Sequence, residues 1–246
     1  MRKTIILIPS RMAAQRLPGK PLLKINNLPI ISHVVDRAKD SGVGEVVVCA
    51  EDKEIVSVVE KNGGKAILTG SHHKNGTERI YEGIQKLKKK GIDFVLSLQG
   101  DEPTVQPKDI VRLNNLMIEN NAEIGTLAAE IKNESMMKNR NVVKVITKEK
   151  LNNYNFAKAS NFLRIYESKE NLNIYHHIGI YCYKFSILEK FVALDRTENE
   201  IKNSLEQLRA LDNNININVA LASTSPIGID TNEDYLELKK IMEYKP

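Results

Sequence analysis

The chain has 246 residues, of which 41% are hydrophobic, and it carries a formal net charge of +5 at pH 7. This length and apolar content suit a globular protein with a sizeable core and exclude a disordered or fibrous chain. The apolar run at residues 5–8 stops at Pro9, and no run reaches the roughly 20 residues of a membrane span, so we expect no membrane segment. Two cysteines, Cys49 and Cys182, are too few for a disulfide framework and are predicted to be buried thiols in the cytoplasm.

Short β-branched runs alternate with amphipathic helical periods in the first half of the chain. Such alternation is typical of a parallel sheet with helices on both faces and right-handed crossovers. We therefore predict an α/β fold with a mostly parallel sheet, whose C-terminal strand ends gather the binding site. The predicted strands are 4–8, 45–50, 65–68, 94–98 and 124–129, and the predicted helices are 29–41, 54–62, 78–89 and 109–120.

From residue 143 onward the alternation loosens, although no linker separates this part from the first half. The chain is therefore predicted to form a single domain, 1–246, with a small additional lobe. The predicted strands of this part are 143–147, 178–183 and 217–222, and its predicted helices are 186–194, 203–211 and 232–244.

A basic loop, IPSRMAAQRLPGKPL at residues 8–22, follows the first predicted strand. It carries the cations Arg11, Arg16 and Lys20 with no acid among them, and three prolines stiffen it. Gly19 can adopt a positive φ and lets a ligand approach the main chain. The loop lacks the glycine and hydroxyl of a Walker A motif, and no G-x-G-x-x-G follows a strand. These features predict an anion-binding loop, with a solvated surface turn as the alternative.

Two aspartates stand at the ends of predicted elements. Asp101 and Glu102, in QGDEP, follow the fourth strand and should share the sheet edge with the basic loop. Asp230, in GIDTNEDYLEL, precedes a helix with a capping box formed by Thr231 and Asp234. A magnesium-bound polyphosphate would join such acids to the basic loop. Either aspartate alone would also suit a structural role, Asp101 in a turn and Asp230 beside a helix dipole.

The segment NGTERI opens the third predicted helix, with Thr77 as the predicted N-cap and helix N–H groups able to bind an anion or a base edge. Arg79 would reach a substrate carboxylate or make a surface ion pair. His72 and His73 just before it are predicted to bind no metal, because no third ligand is evident. The lysine run at 86–90 lacks interleaved aromatic residues, which predicts a solvated helix end and no nucleic-acid partner.

Two later segments, HHIGIY and LEQLR, also contain polar residues at regular spacing. Period-two alternation places His177, Gly179 and Tyr181 on one side of a strand. LEQLR is predicted to be an amphipathic helix with Glu206 and Gln207 on its polar face. Taken alone, both segments indicate structural roles.

The order and spacing of IPSRMAAQRLPGKPL, GTERI, LQGDEP, HHIGIY, LEQLR and GIDTNEDYLEL resemble the 3-deoxy-D-manno-octulosonate (Kdo) cytidylyltransferases, or CMP-Kdo synthetases. The likeness runs from residue 5 to about residue 242. It implies a nucleotide-diphosphosugar-transferase-like, Rossmann-like fold, a homodimer, and an Mg²⁺-dependent reaction of CTP with Kdo that gives CMP-Kdo and pyrophosphate for lipopolysaccharide synthesis. The nucleotide-binding part would be about 1–130, the sugar-binding and dimerisation part about 131–222, and the C-terminal metal-ligand segment and helix about 223–246.

The resemblance also implies roles for individual residues. Arg11 and Lys20 would contact the triphosphate with help from Arg16, and Asp101 and Asp230 would hold magnesium. Lys20, Arg11 and the two aspartates would form the catalytic set. Gly76, Thr77 and Gln99 would border the nucleotide, Gln99 would also face the sugar, and the Kdo pocket would be lined by Arg79, His177, Tyr181, Glu206 and Gln207.

Four positions depart from the family pattern: Ala14, Lys158, Phe162 and Asn203. Lysine at position 158 cannot make the two parallel hydrogen bonds to a phosphate or carboxylate that arginine would make. The choice between Kdo and another ulosonic acid, such as a sialic acid or an amino-Kdo, therefore stays open. A non-catalytic nucleotide-sugar sensor, which would bind CTP without turnover, is an alternative of a different class.

Overall fold

The computed structural model describes residues 2–13, 16–167, 170 and 172–244. Its strands are Thr4–Ser10 (β1), Lys24–Ile25 (β2), Leu28–Pro29 (β3), Glu45–Ala50 (β4), Ala66–Leu68 (β5), Phe94–Ser97 (β6), Ile124–Ala129 (β7), Lys144–Thr147 (β8), Ala157–Leu163 (β9), Asn173–Lys184 (β10) and Ile217–Leu221 (β11). Its α-helices are Ile30–Asp40 (α1), Lys53–Lys61 (α2), Gly76–Leu87 (α3), Pro107–Asn120 (α4), Glu134–Lys138 (α5), Phe185–Val192 (α6), Glu198–Asn203 (α7), Leu208–Asp212 (α8) and Asn232–Glu243 (α9), and Lys20–Leu22 forms a 3₁₀ turn.

The chain divides into two compact units. Unit 1 comprises Met1–Val111 and Pro226–Pro246, and unit 2 comprises Arg112–Ser225. Among the described residues, the helices are all too short or too polar to cross a bilayer.

Unit 1 contains a parallel sheet with the strand order β5-β4-β1-β6. The runs that predicted β1, β4 and β6 are almost entirely buried, as expected for a sheet covered by helices, while β5 at the edge of the sheet is partly exposed. Helix α3 packs closely on this sheet, because a Cβ at Gly83 would lie only 2.3 Å from Cys49 Sγ. Burial raises the pKa of the Cys49 thiol to about 12, and Cys182 is buried as well. The predicted α/β class and the buried thiols are confirmed.

A short hairpin, β2–β3, joins the basic loop to α1 and was not predicted. Asn26 and Asn27 both have positive φ angles, 49° and 62°, at the two central positions of its turn. This turn geometry suits right-twisted hairpins, and asparagine tolerates it. The hairpin meets α9 in an apolar cluster, in which Ile25 and Leu238 are fully buried. The C-terminal segment is thereby fixed within unit 1.

Unit 2 is built on strands in the order β10-β7-β11-β9-β8, with β8 also paired to β10. The β7–β11 pair is parallel, while the other pairs are antiparallel. The predicted strands 143–147, 178–183 and 217–222 are present, and the predicted strand 124–129 is β7. Strand β9 was not predicted. The register of β10 against β7 shifts between Ile178 and Tyr181.

The single helix predicted at 203–211 is wrong. Helix α7 ends at Asn203, because Ser204 takes a left-handed conformation with φ 52°. Residues 204–207 form a turn, and α8 begins only at Leu208. Glu206 and Gln207 therefore lie in the turn between two short helices.

Arg209 and Glu200 form a buried ion pair that joins α8 to α7. Arg209 donates through Nε and Nη2 to the two carboxylate oxygens of Glu200, each at 2.7 Å, and both side chains are only 3% exposed. Burial alone would raise the pKa of Glu200, but hydrogen bonds from Arg209 and Arg196 outweigh it and lower the pKa. The guanidinium also lies 4.9 Å from the Phe191 ring centroid.

Replacing Arg209 with methionine should destabilise the protein by about 3–5 kcal/mol, because Glu200 would be left as a buried charge without its main partner. The double variant Arg209→Met/Glu200→Met removes both charges and should recover much of that loss. Urea unfolding of both variants and the wild type measures the difference. A single variant as stable as the wild type would contradict the buried-pair interpretation.

Candidate active site

The basic loop is closed by backbone hydrogen bonds that place Lys20 on the sheet edge. Gly19 has a φ of 73°, as predicted, and its N–H donates to the carbonyl of Met12 at 3.1 Å. The N–H of Met12 donates to Asp52 Oδ2 at 2.8 Å, which anchors the loop at the start of α2. Lys20 begins the 3₁₀ turn, and the ring of Pro21, the second residue of the turn, fixes its own backbone φ angle.

Lys20 lies at the centre of a cluster of oxygen atoms. Its ammonium donates to Asp101 Oδ2 at 2.5 Å and to the carbonyl of Ile229 at 2.6 Å, and it lies 3.8 Å from Asp230 Oδ1. Arg16 Nη2 reaches Asp230 Oδ2 at 3.0 Å. The structure therefore brings the basic loop and both predicted aspartates together within unit 1.

Asp230 reaches this cluster because the chain around it is fixed on both sides. The N–H of Ile229 donates to the carbonyl of Asp101 at 3.1 Å. After Asp230, the predicted capping box of Thr231 and Asp234 is present and starts α9. The motif in the sequence correctly located the helix start, and the apolar contacts of α9 with the hairpin hold it in place.

Glu102 is a half-buried acid beside the two aspartates, which the sequence placed at the same sheet edge without giving it a role in the site. Burial raises the pKa of its carboxyl to about 8, with further contributions from the charges of Asp101 and Asp230. Its Oε2 is buried and makes no hydrogen bond to any residue that the structure describes. Three carboxyl groups thus share one small region with the cationic groups of Lys20 and Arg16, and its raised pKa keeps Glu102 mostly protonated at pH 7.

The substitution Glu102→Gln should stabilise the metal-free protein as the pH rises from about 5 to about 8. A carboxyl group with a raised folded-state pKa keeps its proton in the folded protein at pH values where the unfolded chain loses it, so wild-type stability falls across this window. The variant lacks that loss, and its advantage should reach about 1–3 kcal/mol at pH 8.

Urea unfolding in EDTA at pH 5 and pH 8 would measure this advantage, with Glu60→Gln on the exposed side of α2 as the matched control. An advantage of Glu102→Gln that is the same at both pH values would show that Glu102 ionises normally in the folded protein.

A cavity of about 270 Å³ opens beside this cluster in unit 1. Its size falls slightly below the usual range for small-molecule sites. Backbone and side chains of the basic loop, the QGDEP turn and the start of α3 form its wall. The predicted site residues that line it are Arg11, Lys20, Gly76, Arg79, Gln99 and Asp101.

The start of α3 differs from the prediction. Asn75, not Thr77, is the N-cap, and its side-chain oxygen accepts from the N–H of Glu78 at 2.8 Å. Thr77 is buried within the first turn of the helix. A Cβ at Gly76 would lie 3.0 Å from Pro9 Cγ, so glycine lets the helix end approach the basic loop. Asn75 and Gly76 both line the cavity.

Arg79 is buried at 3% exposure, so the expectation of a surface ion pair is wrong. Its guanidinium donates to Glu51 Oε2 at 2.5 Å, to Thr69 Oγ1 at 2.9 Å and to the carbonyl of Gly70 at 2.9 Å. Glu51 lies 28 residues earlier in the sequence, at the end of β4, and no local motif pointed to it. Arg79 is therefore a fixed part of the cavity wall.

In unit 2 the structure brings Tyr181, Glu206 and Gln207 together around a smaller cavity of about 30 Å³. His177 adjoins them, with its ring centroid 5.4 Å from that of Tyr181. The two side chains therefore lie on the same side of β10, as predicted, although the pairing register of β10 shifts between them. Burial lowers the pKa of His177 to about 3, which keeps the imidazole neutral at pH 7. Its Nε2 lies 3.0 Å from Thr126 Oγ1.

Comparison of the chain with known proteins shows which family it belongs to. The family model for cytidylyltransferases matches residues 5–217. A relative from Afipia carboxidovorans named 3-deoxy-manno-octulosonate cytidylyltransferase is 40% identical over 97% of this chain and 96% of its own length. One of the same name from Thermodesulfovibrio yellowstonii is 43% identical over 94% of each chain.

The chain belongs to the 3-deoxy-manno-octulosonate cytidylyltransferase family.

Solved structures agree with this membership. A CMP:2-keto-3-deoxy-manno-octonic acid synthetase complexed with CTP superposes with a TM-score of 0.88 at 33% identity, covering 98% of both chains. A 4-diphosphocytidyl-2C-methyl-D-erythritol synthase from Anaerococcus prevotii superposes with a TM-score of 0.64 at 12% identity, which shows the shared fold alone. The predicted family and fold are confirmed.

The positions that depart from the family pattern differ from one another in burial and contacts. Lys158 is exposed on β9, and Asn203 ends α7 with its side-chain amide donating to the carbonyl of Asn199 at 2.9 Å. Phe162 is buried and meets the His177 ring edge-on, with centroids 5.1 Å apart. Ala14 lies outside the described residues. Among the described departures, Phe162 therefore contacts a residue, His177, to which the family resemblance assigns a role.

Proposed function

We propose that this chain is a 3-deoxy-manno-octulosonate cytidylyltransferase, which transfers the cytidylyl group of CTP to Kdo and releases pyrophosphate. The observation that carries the proposal is the convergence of Lys20 with Asp101 and Asp230 beside a cavity lined by Arg11. Family membership gives the reaction, and this convergence gives a place where a polyanionic nucleotide and its counter-ion would fit.

The oxygen cluster suits a hard divalent cation. Asp101 and Asp230 supply carboxylates, and their charges add to the larger effect of burial in raising the pKa of Glu102. Mg²⁺ takes one or two protein carboxylates together with phosphate oxygens and water. We therefore propose that Asp101 and Asp230 hold Mg²⁺, which when bound would neutralise charge on the phosphate oxygens.

The chain's own cations would bind and orient the triphosphate. Arg11 and Lys20 line the cavity, and Arg16 lies beside Asp230. We propose that these three side chains contact the triphosphate and that Lys20 stabilises the departing pyrophosphate. Attack of the sugar's anomeric hydroxyl on the α-phosphorus in line with the leaving group needs positioning and positive charge, with no covalent enzyme intermediate.

We propose that Gly76, Thr77 and Gln99 border the nucleotide, with Gln99 and Arg79 also facing the sugar. The buried hydrogen bonds of Arg79 support a rigid wall at this point. For unit 2, the family resemblance assigns the sugar to His177, Tyr181, Glu206 and Gln207. A neutral His177 would serve there as a hydrogen-bonding group, since burial holds its pKa at about 3.

We also propose, from the resemblance, that the chain acts as a cytoplasmic homodimer in lipopolysaccharide synthesis. The chain mass is 27.8 kDa. Light scattering on a size-exclusion column should therefore give twice that mass, and a monomeric mass at micromolar concentration would contradict the dimer.

Pyrophosphate release from CTP tests the function directly. Release should require both Mg²⁺ and Kdo, and it should be much slower with a sialic acid in place of Kdo. Equal or faster release with a sialic acid would transfer the assignment to another ulosonic acid. Binding of CTP with no release under any of these conditions would favour the sensor alternative.

A further inference from the structure

A second group of metal-ligating side chains lies in unit 1 at the segment that leads into α3. His72, His73 and Glu82 each present a nitrogen or oxygen ligand atom, and these three atoms lie within 4.8 Å of one another. Glu82 is nine residues beyond His73 along the chain. The third ligand that the sequence analysis found missing is therefore supplied by the fold.

Several contacts hold the Glu82 carboxylate in place. Oε1 accepts from Lys86 Nζ at 2.6 Å, one helical turn further along α3. Oε2 accepts from the N–H of Gly70 at 2.8 Å and contacts His73 Nε2. Oε2 thus faces the two histidines while Oε1 is occupied by a neighbouring cation. Such orientation by surrounding groups is typical of metal-binding carboxylates.

The two imidazoles are positioned as well. The other nitrogen of His73, Nδ1, lies 4.0 Å from Glu78 Oε2, so a carboxylate stands on each side of the ring. His72 lies over Gly70, where a Cβ would come within 2.5 Å of the imidazole. Glycine at position 70 therefore allows the His72 ring to approach Glu82. His72 is exposed, which leaves a path for an ion from solvent.

From this arrangement we propose that His72, His73 and Glu82 form a binding site for a borderline transition-metal ion of the Zn²⁺ or Co²⁺ class. Two imidazoles and one carboxylate form a ligand set that zinc accepts in proteins, with water in the fourth position. Tetrahedral ligands around zinc lie roughly 3.3 Å apart, so small rotations of the three side chains would complete the site. Imidazole ligands favour such ions over magnesium.

The site lies on the wall of the 270 Å³ cavity, because His73 lines that cavity together with Asn75 and Gly76. A bound ion would join the segment before α3 to a residue in the second turn of that helix. The ion would therefore hold the helix start, and with it one wall of the cavity, in a fixed position. The positive charge of Lys86 opposes the ion, but its side chain is 48% exposed and its charge is screened by solvent.

Titration of the untagged protein with Co²⁺ in excess Mg²⁺ tests the proposal, because Mg²⁺ would occupy the carboxylate cluster around Asp101. We expect one equivalent of Co²⁺ to produce the visible absorption band of a nitrogen-ligated ion, and Zn²⁺ to displace it. Loss of a ligand in His72→Ala, His73→Ala or Glu82→Gln should weaken binding by at least about 10-fold. Zn²⁺ should raise the melting temperature of the wild type but not of these variants.

Two control variants keep the test specific. His33→Gln removes a histidine on α1, and Glu60→Gln removes an exposed carboxylate on α2, so each matches the chemistry of a ligand substitution outside the site. Neither should weaken Co²⁺ binding. His72→Ala is the decisive variant, because its exposed side chain can be removed without unfolding the protein. Wild-type affinity in His72→Ala, or no stoichiometric Co²⁺ binding by the wild type, would overturn the proposal whatever the outcome of the pyrophosphate assay.

Discussion

Replacing Asp101 with asparagine should lower the rate of pyrophosphate release by a factor of about 10² to 10³, as is typical when one electrostatic stabiliser of a transition state is removed. Asparagine keeps the size of the side chain but lacks the charge that would hold Mg²⁺. The residual activity should need more Mg²⁺ than the wild type does. Steady-state rates measured across a series of Mg²⁺ concentrations would show both effects.

The Asp101→Asn variant should still fold, because the backbone hydrogen bond from the N–H of Ile229 to the carbonyl of Asp101 does not involve the side chain. Asp36→Asn, on the exposed side of α1, is the charge-matched control and should keep full activity. A folded Asp101→Asn protein with unchanged rate and unchanged Mg²⁺ dependence would remove Asp101 from the site. Asp230→Asn, tested in parallel, should show the same two effects.

The parallel sheet of unit 1 was predictable because its strands are continuous buried runs between amphipathic helices. Each run in β1, β4 and β6 contains β-branched or other apolar residues with few polar interruptions, and this pattern depends only on local sequence. The hairpin β2–β3 escaped prediction because two-residue strands show no periodicity. Its turn residues, Asn26 and Asn27, were the only local signal.

The break between helices α7 and α8 in unit 2 could not be predicted from amphipathic spacing. The apolar and polar residues of 203–211 fit one helix, yet Ser204 adopts a left-handed conformation and ends α7. The buried pair of Arg209 and Glu200 links the two short helices across that turn. The break is therefore stabilised by a tertiary contact, which local propensity does not encode.

The same division between local and long-range information holds at the site. The cations of the basic loop and the acids of QGDEP could be located from motifs, since each follows a strand of one parallel sheet. The partners Glu51 of Arg79 and Glu82 of His73 could not, because they lie on other elements of the chain. The charge of Asp230 near Glu102 likewise depends on how the C-terminal segment folds back to Asp101.

Replacing Lys20 with alanine should lower the rate of cytidylyl transfer by a factor of about 10² to 10³, equivalent to about 3–4 kcal/mol of transition-state stabilisation. The reason is the position of its ammonium group, which is 13% exposed and lies between two carboxylates and a backbone carbonyl at the edge of the cavity. A nucleotide in that cavity would place its departing phosphates next to this charge.

Lys20 could instead act only by ordering the carboxylates, and the kinetic constants separate the two roles. If its charge stabilises the departing pyrophosphate, kcat falls while the Mg²⁺ concentration required for half-maximal rate changes little. If it only orders Asp101 and Asp230, the Mg²⁺ requirement changes and saturating Mg²⁺ restores kcat. Lys24→Ala on the exposed side of β2 is the matched control. A loss of stability in Lys20→Ala with full activity would identify the basic loop as a structural turn, since its central cation would then serve folding alone.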